Sequence, residues 1–204
     1  MGSRCASGGA EFLVWAPNRT RVDLHVIGPD ERLLPMHDAG QGYYSLRVPH
    51  LGPGARYFYR LDGERDRPDP ASRSQPEGVH GPSEVADPTP SLSPSVWEAP
   101  ALRDYILYEV HIGTFTPQGD FDSAMACLDR LQKLGITAVE LMPIAEFPGE
   151  RNWGYDGVYP FSAHSRYGGH AAFRRLVDAC HARGLAVVLD VVYNHLGPEG
   201  NYLR

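Results

Sequence analysis

Leu185-Ala186-Val187-Val188-Leu189-Asp190-Val191-Val192 is apolar at every position but Asp190. A run without a polar face predicts a strand covered on both sides, as in parallel sheets flanked by helices. The residues before it fit that reading. From His170 to Arg183, Phe173, Leu176, Val177 and Cys180 recur at helical core spacing, and Gly184 supplies the stop. Farther upstream, Ile136 to Met142 reads as a strand ended by Pro143. Phe121 to Leu134 reads as a helix with Phe121, Met125, Leu128, Leu131 and Leu134 on one stripe, and Tyr105 to Ile112 as a β-rich run. Strand-helix-strand-helix-strand implies parallel strands joined by right-handed crossovers. A closed (β/α)8 barrel takes ~250 residues. The 100 residues from Tyr105 to Arg204 therefore predict an incomplete second domain, with an open strand edge that invites self-association.

Before Tyr105 the grammar differs. Phe12 and Val14, then Val22, Leu24 and Val26, then Tyr44, Leu46 and Val48, then Tyr57, Tyr59 and Leu61 alternate with polar residues at the strand period. Pro17-Asn18, Gly28-Pro29, Gly40 to Gly42 and Gly52-Pro53-Gly54 punctuate them. Short strands at regular spacing predict a small β-sandwich. Pro68, Pro70, Pro76, Pro82, Pro88, Pro90, Pro94 and Pro100 exclude a continuous helix or central strand after it. The expected organisation is a sandwich over 10–65, an ordered proline-rich connector over 66–104 that hugs the surface, and an α/β unit over 105–204.

Composition narrows the function classes. The formal net charge is -6, with no basic stripe to recommend a nucleic acid partner. Cys5, Cys127 and Cys180 are too few and too dispersed for a disulfide framework or zinc site, and Cys127 and Cys180 read as reduced packing residues. The first ten residues hold no apolar leader and no run approaches a membrane span, so a cytoplasmic protein without membrane partners is expected.

Parallel α/β folds build their sites at the carboxyl ends of the strands. Asn152-Trp153-Gly154-Tyr155-Asp156-Gly157 follows the second strand there, and Asp190-Val191-Val192-Tyr193-Asn194-His195 belongs to the end of the third. Taken singly, Trp153 and Tyr155 also read as loop anchors, and Asp190 as a cap on a neighbouring amide. Taken together, two rings, two carboxylates, an amide and an imidazole suit a sugar: rings stack on a pyranose while polar groups meet its hydroxyls.

These segments resemble the α-amylase family of glycoside hydrolases. Leu189 to His195 is similar to its first signature region, Gly135 to Pro143 to its second barrel strand, and Trp153 to Gly157 to its aromatic loop. Phe12 to Pro17 resembles the early-set, immunoglobulin-like β-sandwich that precedes the barrel in branching, debranching and trehalose-releasing members. Arg67 to Arg73, Gly78 to Ser83, His111 to Pro117 and Asn194 to Leu203 resemble the maltooligosyltrehalose trehalohydrolase subgroup. Branching enzymes usually carry Gln where Asp156 stands, and isoamylase-type debranching enzymes lack this connector.

The resemblance implies a β-sandwich followed by the first three strands of a (β/α)8 barrel. It implies hydrolysis of the α-1,4 bond that releases trehalose from maltooligosyltrehalose. The alternatives are a branching or debranching enzyme, or a glucan-binding module without catalysis. Family members use a nucleophilic carboxylate and an acid about 5–5.5 Å apart, placed after barrel strands four and five. No catalytic residue is therefore assigned, and the 204 residues alone are expected to be inactive. The sugar floor carries over: Tyr155 matches the aromatic that stacks on glucose, His195 the imidazole on its primary hydroxyl, and Asp190 the carboxylate that orders the pocket. Trp153, Asp156 and Asn194 complete the substrate-binding set. Asn194 matches a calcium ligand of some amylases, but this subgroup is not generally calcium-dependent, so no metal or cofactor is expected. Glu109, Glu140, Glu146 and Glu150 are read as surface or structural.

Overall fold

A computed structural model describes residues 1–28, 30–87 and 97–203. Pro29, Pro88, Pro90, Pro94 and Arg204, all used above, lie outside the described residues.

The first half is built from β1 (Gly2–Ala6), β2 (Gly9–Trp15), β3 (Val22–Ile27), β4 (Arg32–Pro35), β5 (His37–Gly40), β6 (Tyr43–Pro49), β7 (Arg56–Leu61), β8 (Arg65–Arg67) and β9 (Ser83–Glu84). One antiparallel sheet runs β1-β2-β6-β5. The other runs β4-β3-β7-β8, with β9 sharing the β7 edge with β8. Alternation decides which side chains turn inward. Phe12 and Val14 of the first sheet, with Leu24, Val26, Tyr57 and Tyr59 of the second, fill one core. The Phe12 and Tyr57 rings meet edge-on at 4.9 Å across the sheets.

The sheets reach outside residues 10–65. β1 precedes that range, and β8 and β9 close the far edge of β7 from inside the proline-rich stretch. Prolines tolerate this arrangement because short edge pieces need few amide donors. The described part of the connector is tied down by Asp69, which is fully buried. Its carboxylate accepts from the Tyr57 hydroxyl at 2.6 Å and the Tyr59 hydroxyl at 3.4 Å. Burial pushes this carboxyl up, against the pull of those donors.

The second half holds β10 (Leu107–Val110), α1 (Ile112–Phe115), α2 (Phe121–Met125), α3 (Leu128–Leu134), β11 (Ala138–Leu141), β12 (Ala145–Glu146), β13 (Tyr159–Ala163), α4 (Gly169–His181) and β14 (Ala186–Leu189). β10, β11 and β14 form a parallel sheet with β11 in the middle, while β12 and β13 make a small antiparallel pair beside it. Val110, Val139, Leu141 and Leu185 pack against Phe121, Leu128, Leu131, Leu176 and Cys180. Burial lifts the Cys180 thiol to about 12, so it packs as a neutral group.

Two expectations fail in detail. The helix read over Phe121 to Leu134 breaks at Ala126-Cys127, whose amides donate to Ser123 and Ala124, three residues back. That tighter winding starts a new helix at Leu128, and Leu134 leaves the stripe, 70% exposed. The strand read over Leu185 to Val192 is a ladder over Ala186–Leu189 extended by the Asp190 amide on the Leu141 carbonyl. Among the described residues its side chains are not all covered: Ala186 is buried, Val187 and Val188 are half-buried, and Leu189 is exposed. Among the described residues no helix is long and apolar enough to cross a membrane.

Candidate functional site

The carboxyl end of the parallel sheet gathers two loops. Residues 147–158 connect β12 to β13, and residues 190–203 follow β14. The first loop turns at Gly154, whose φ is +99°. A Cβ there would run into the Pro143 carbonyl oxygen, so only glycine lets the loop fold back on the end of β11. Asn152 fixes the turn twice. Its side-chain oxygen accepts from the Gly154 amide at 2.8 Å, and its side-chain nitrogen donates to Asp156 at 2.7 Å.

The loops are bonded to one another. The Tyr155 hydroxyl donates to Asp190 Oδ2 at 2.9 Å. His195 Nε2 lies 2.9 Å from the Tyr155 carbonyl oxygen, which can only accept, so that nitrogen carries a proton. The Gly197 amide donates to the Gly157 carbonyl at 3.0 Å, and a Cβ at Gly197 would strike the Asp156 backbone oxygen. The bond to Asp190 is the leading cause that pushes the Tyr155 phenol up, followed by burial and by the charges of Asp190, Glu109 and Glu140. Tyr155 therefore stays a donor.

Trp153, Tyr155, Asp156, Asp190 and His195 thus share one rim, and Asn194 is exposed on the second loop. Trp153 and Tyr155 present much of their surface to solvent, 62% and 41%. His111 was not singled out for the site, although it stands immediately after β10, where the strand-end rule also points. Its Nε2 donates to the Asn152 carbonyl at 2.8 Å, and its ring meets Trp153 at 5.0 Å. Glu146 is buried away from the rim, accepting from the Ser165 amide at 2.6 Å and facing His164 Nδ1 at 3.1 Å. The rim offers exposed rings beside fixed donors and acceptors, the chemistry of carbohydrate binding.

Residues 65–204 match the catalytic domain model of alpha amylase. The chain belongs to the alpha-amylase family. Residues 1–88 match carbohydrate-binding module 48, the isoamylase N-terminal domain. The chain is 45% identical over 203 residues to a malto-oligosyltrehalose trehalohydrolase of Saccharolobus solfataricus, covering 100% of this chain and 36% of that protein. It is 47% identical over 195 residues to one from Arthrobacter ramosus, covering 94% and 34%. It thus spans about a third of the length of the curated relatives it matches. A Salmonella typhimurium protein solved as a candidate alpha amylase superposes with a TM-score of 0.94 at 42% identity, over 99% of this chain and 34% of that one. A pullulanase of Anoxybacillus complexed with maltotetraose gives 0.79 at 26% identity, over 96% and 35%. The alpha-amylase match takes in both loops of the rim and the whole parallel sheet.

Proposed function

We infer that the parallel sheet is the opening of an alpha-amylase (β/α)8 barrel, β10, β11 and β14 being its first three strands, and that the rim is part of a glucan site. Tyr155 offers a face to a glucose ring, His195 and Asp190 flank it, and Trp153, Asp156 and Asn194 extend the floor. For the longer protein to which these residues correspond, the reaction is hydrolysis of the α-1,4 bond that frees trehalose from maltooligosyltrehalose. The single observation that carries this reading is that Tyr155 is bonded to both other residues, its hydroxyl to Asp190 and its backbone carbonyl to His195, while its side chain stays exposed.

The subgroup is favoured by the identity over nearly the whole chain to proteins named malto-oligosyltrehalose trehalohydrolase. The experiment is calorimetric titration of the chain with maltotriosyltrehalose and with maltopentaose. Binding of the first that falls away in Tyr155→Ala supports the reading. Equal binding by parent and variant sinks the site, and tighter binding of maltopentaose sinks the subgroup.

A further inference from the structure

The rim is held from a second side by residues outside the proposed sugar floor. β13 starts at Tyr159, two residues beyond Gly157, and Tyr159 is buried to 2% exposure. Its hydroxyl donates to the Val79 carbonyl of the connector at 2.9 Å and lies 3.5 Å from the Gly200 carbonyl of the second loop. One proton faces two carbonyls, so the connector and the loop converge on a single donor. Val79, Val158 and Tyr159 form a small apolar cluster under this point.

Gly200 makes the approach possible. At φ +83°, a Cβ there would stand 2.7 Å and 2.8 Å from side-chain atoms of Val79. Farther along, the Tyr202 hydroxyl is 2.6 Å from His80 Nδ1, and the Arg67 guanidinium sits 4.4 Å from the centre of the Tyr202 ring. The His80–Glu199 ion pair at 3.4 Å is exposed on both sides and adds little. At its other end the same loop is bonded to the rim through His195 and Gly197.

We propose that Tyr159 and Tyr202 are positioning residues, which seat the loop of residues 190–203 on the sandwich connector and so set where His195 stands against Tyr155. The idea rests on the sugar-binding reading of the rim. Neither residue belongs to that floor. Each acts through the loop it holds, and through the connector it makes the sandwich a part of the site's support.

The test uses the whole 204-residue chain in two measurements: amide hydrogen exchange without ligand, and calorimetric titration with maltotriosyltrehalose. Tyr159→Phe keeps the ring and removes the donor. Tyr202→Ala, at a surface position, guards against a loss of folding at the buried one. Tyr202→Phe keeps the ring beneath Arg67 and is expected to rescue part of the effect. In Tyr159→Phe and Tyr202→Ala, exchange over residues 193–203 accelerates while β2, β7 and β11 keep their protection. Kd rises roughly three- to tenfold. Unchanged exchange over 193–203 in both variants overturns the proposal, as does faster exchange with an unaltered Kd. If the parent fails to bind, or Tyr155→Ala binds as well as the parent, the sugar-binding reading falls. The exchange measurement then decides the seating by itself.

Discussion

Tyr155 and Asp190 come from different loops, thirty-five residues apart, and meet at 2.9 Å with the phenol as donor. The bond ties the Tyr155 side chain to the residue immediately after β14.

Tyr155→Phe keeps the stacking face and deletes this bond. The pair is partly solvated, so the loss is that of an ordinary hydrogen bond, about 1 kcal/mol. Binding of maltotriosyltrehalose is expected to weaken roughly fivefold. Tyr155→Ala should abolish measurable binding, because it removes the ring as well. Calorimetric titration of both variants separates the two contributions.

Gly154→Ala strains a backbone at φ +99° and pushes a methyl against the Pro143 carbonyl. The cost is expected to exceed about 1 kcal/mol. Either the melting temperature falls, or the loop shifts and glucan binding is lost with the fold intact. A variant with unchanged melting and unchanged binding would show that the turn is not held as described.

Asp120 accepts from the Ser123 amide at 2.7 Å and caps α2. Asp120→Ala should destabilise the chain by about 1 kcal/mol, read as a shift in the urea midpoint. Asp120→Asn, which keeps an accepting oxygen, should cost much less.

Asp66 is bonded by Arg60 at 2.8 and 2.9 Å, and chiefly for that reason its carboxyl titrates below the usual range, with His25 adding to the effect. A folded pKa below the unfolded one stabilises above the unfolded value, about 3.9, and the benefit disappears as pH falls through the folded value. The stability gap between the parent and Asp66→Asn should close as the pH falls below about 4. A gap that widens in acid would refute the assignment.

On the proposed reading of the rim, which supplies a sugar floor and no assigned nucleophile or acid, the 204 residues are expected to bind maltotriosyltrehalose without releasing trehalose. Steady trehalose release that disappears in Tyr155→Ala would disprove this. Leu189 stands exposed at the end of β14, and Val191 just beyond it. Concentration-dependent association in sedimentation is therefore expected as well.

Where the sequence was readable, a single period decided it. The alternations at Phe12 and Val14 and at Tyr57 and Tyr59 mark sandwich strands, and the stripe from Phe173 to Cys180 marks α4. β1 was not readable, because Gly2-Ser3-Arg4-Cys5-Ala6 has no apolar rhythm. Its strand state is imposed by pairing along the edge of β2. The break at Ala126-Cys127 was hidden too, since both residues fit a helix. The rim's residues could be named from strand ends and family resemblance. The hydrogen bond from His195 to the Tyr155 backbone and the place of His111 beneath Trp153 depend on how loops approach in space, which no spacing in the chain encodes.

The edge of β7 is completed by two pieces, Arg65–Arg67 and Ser83–Glu84, and just beyond them Val85 is buried in the sandwich core. Between the pieces lie Val79 and His80, which face the other half of the molecule. A chimaera joined at residue 65 would strip one module of its closing strands and leave the other without its anchor. Grafting this sandwich onto another protein, or excising it as a free-standing module, requires a cut after Asp87, so that the segment travels with the sheet it completes.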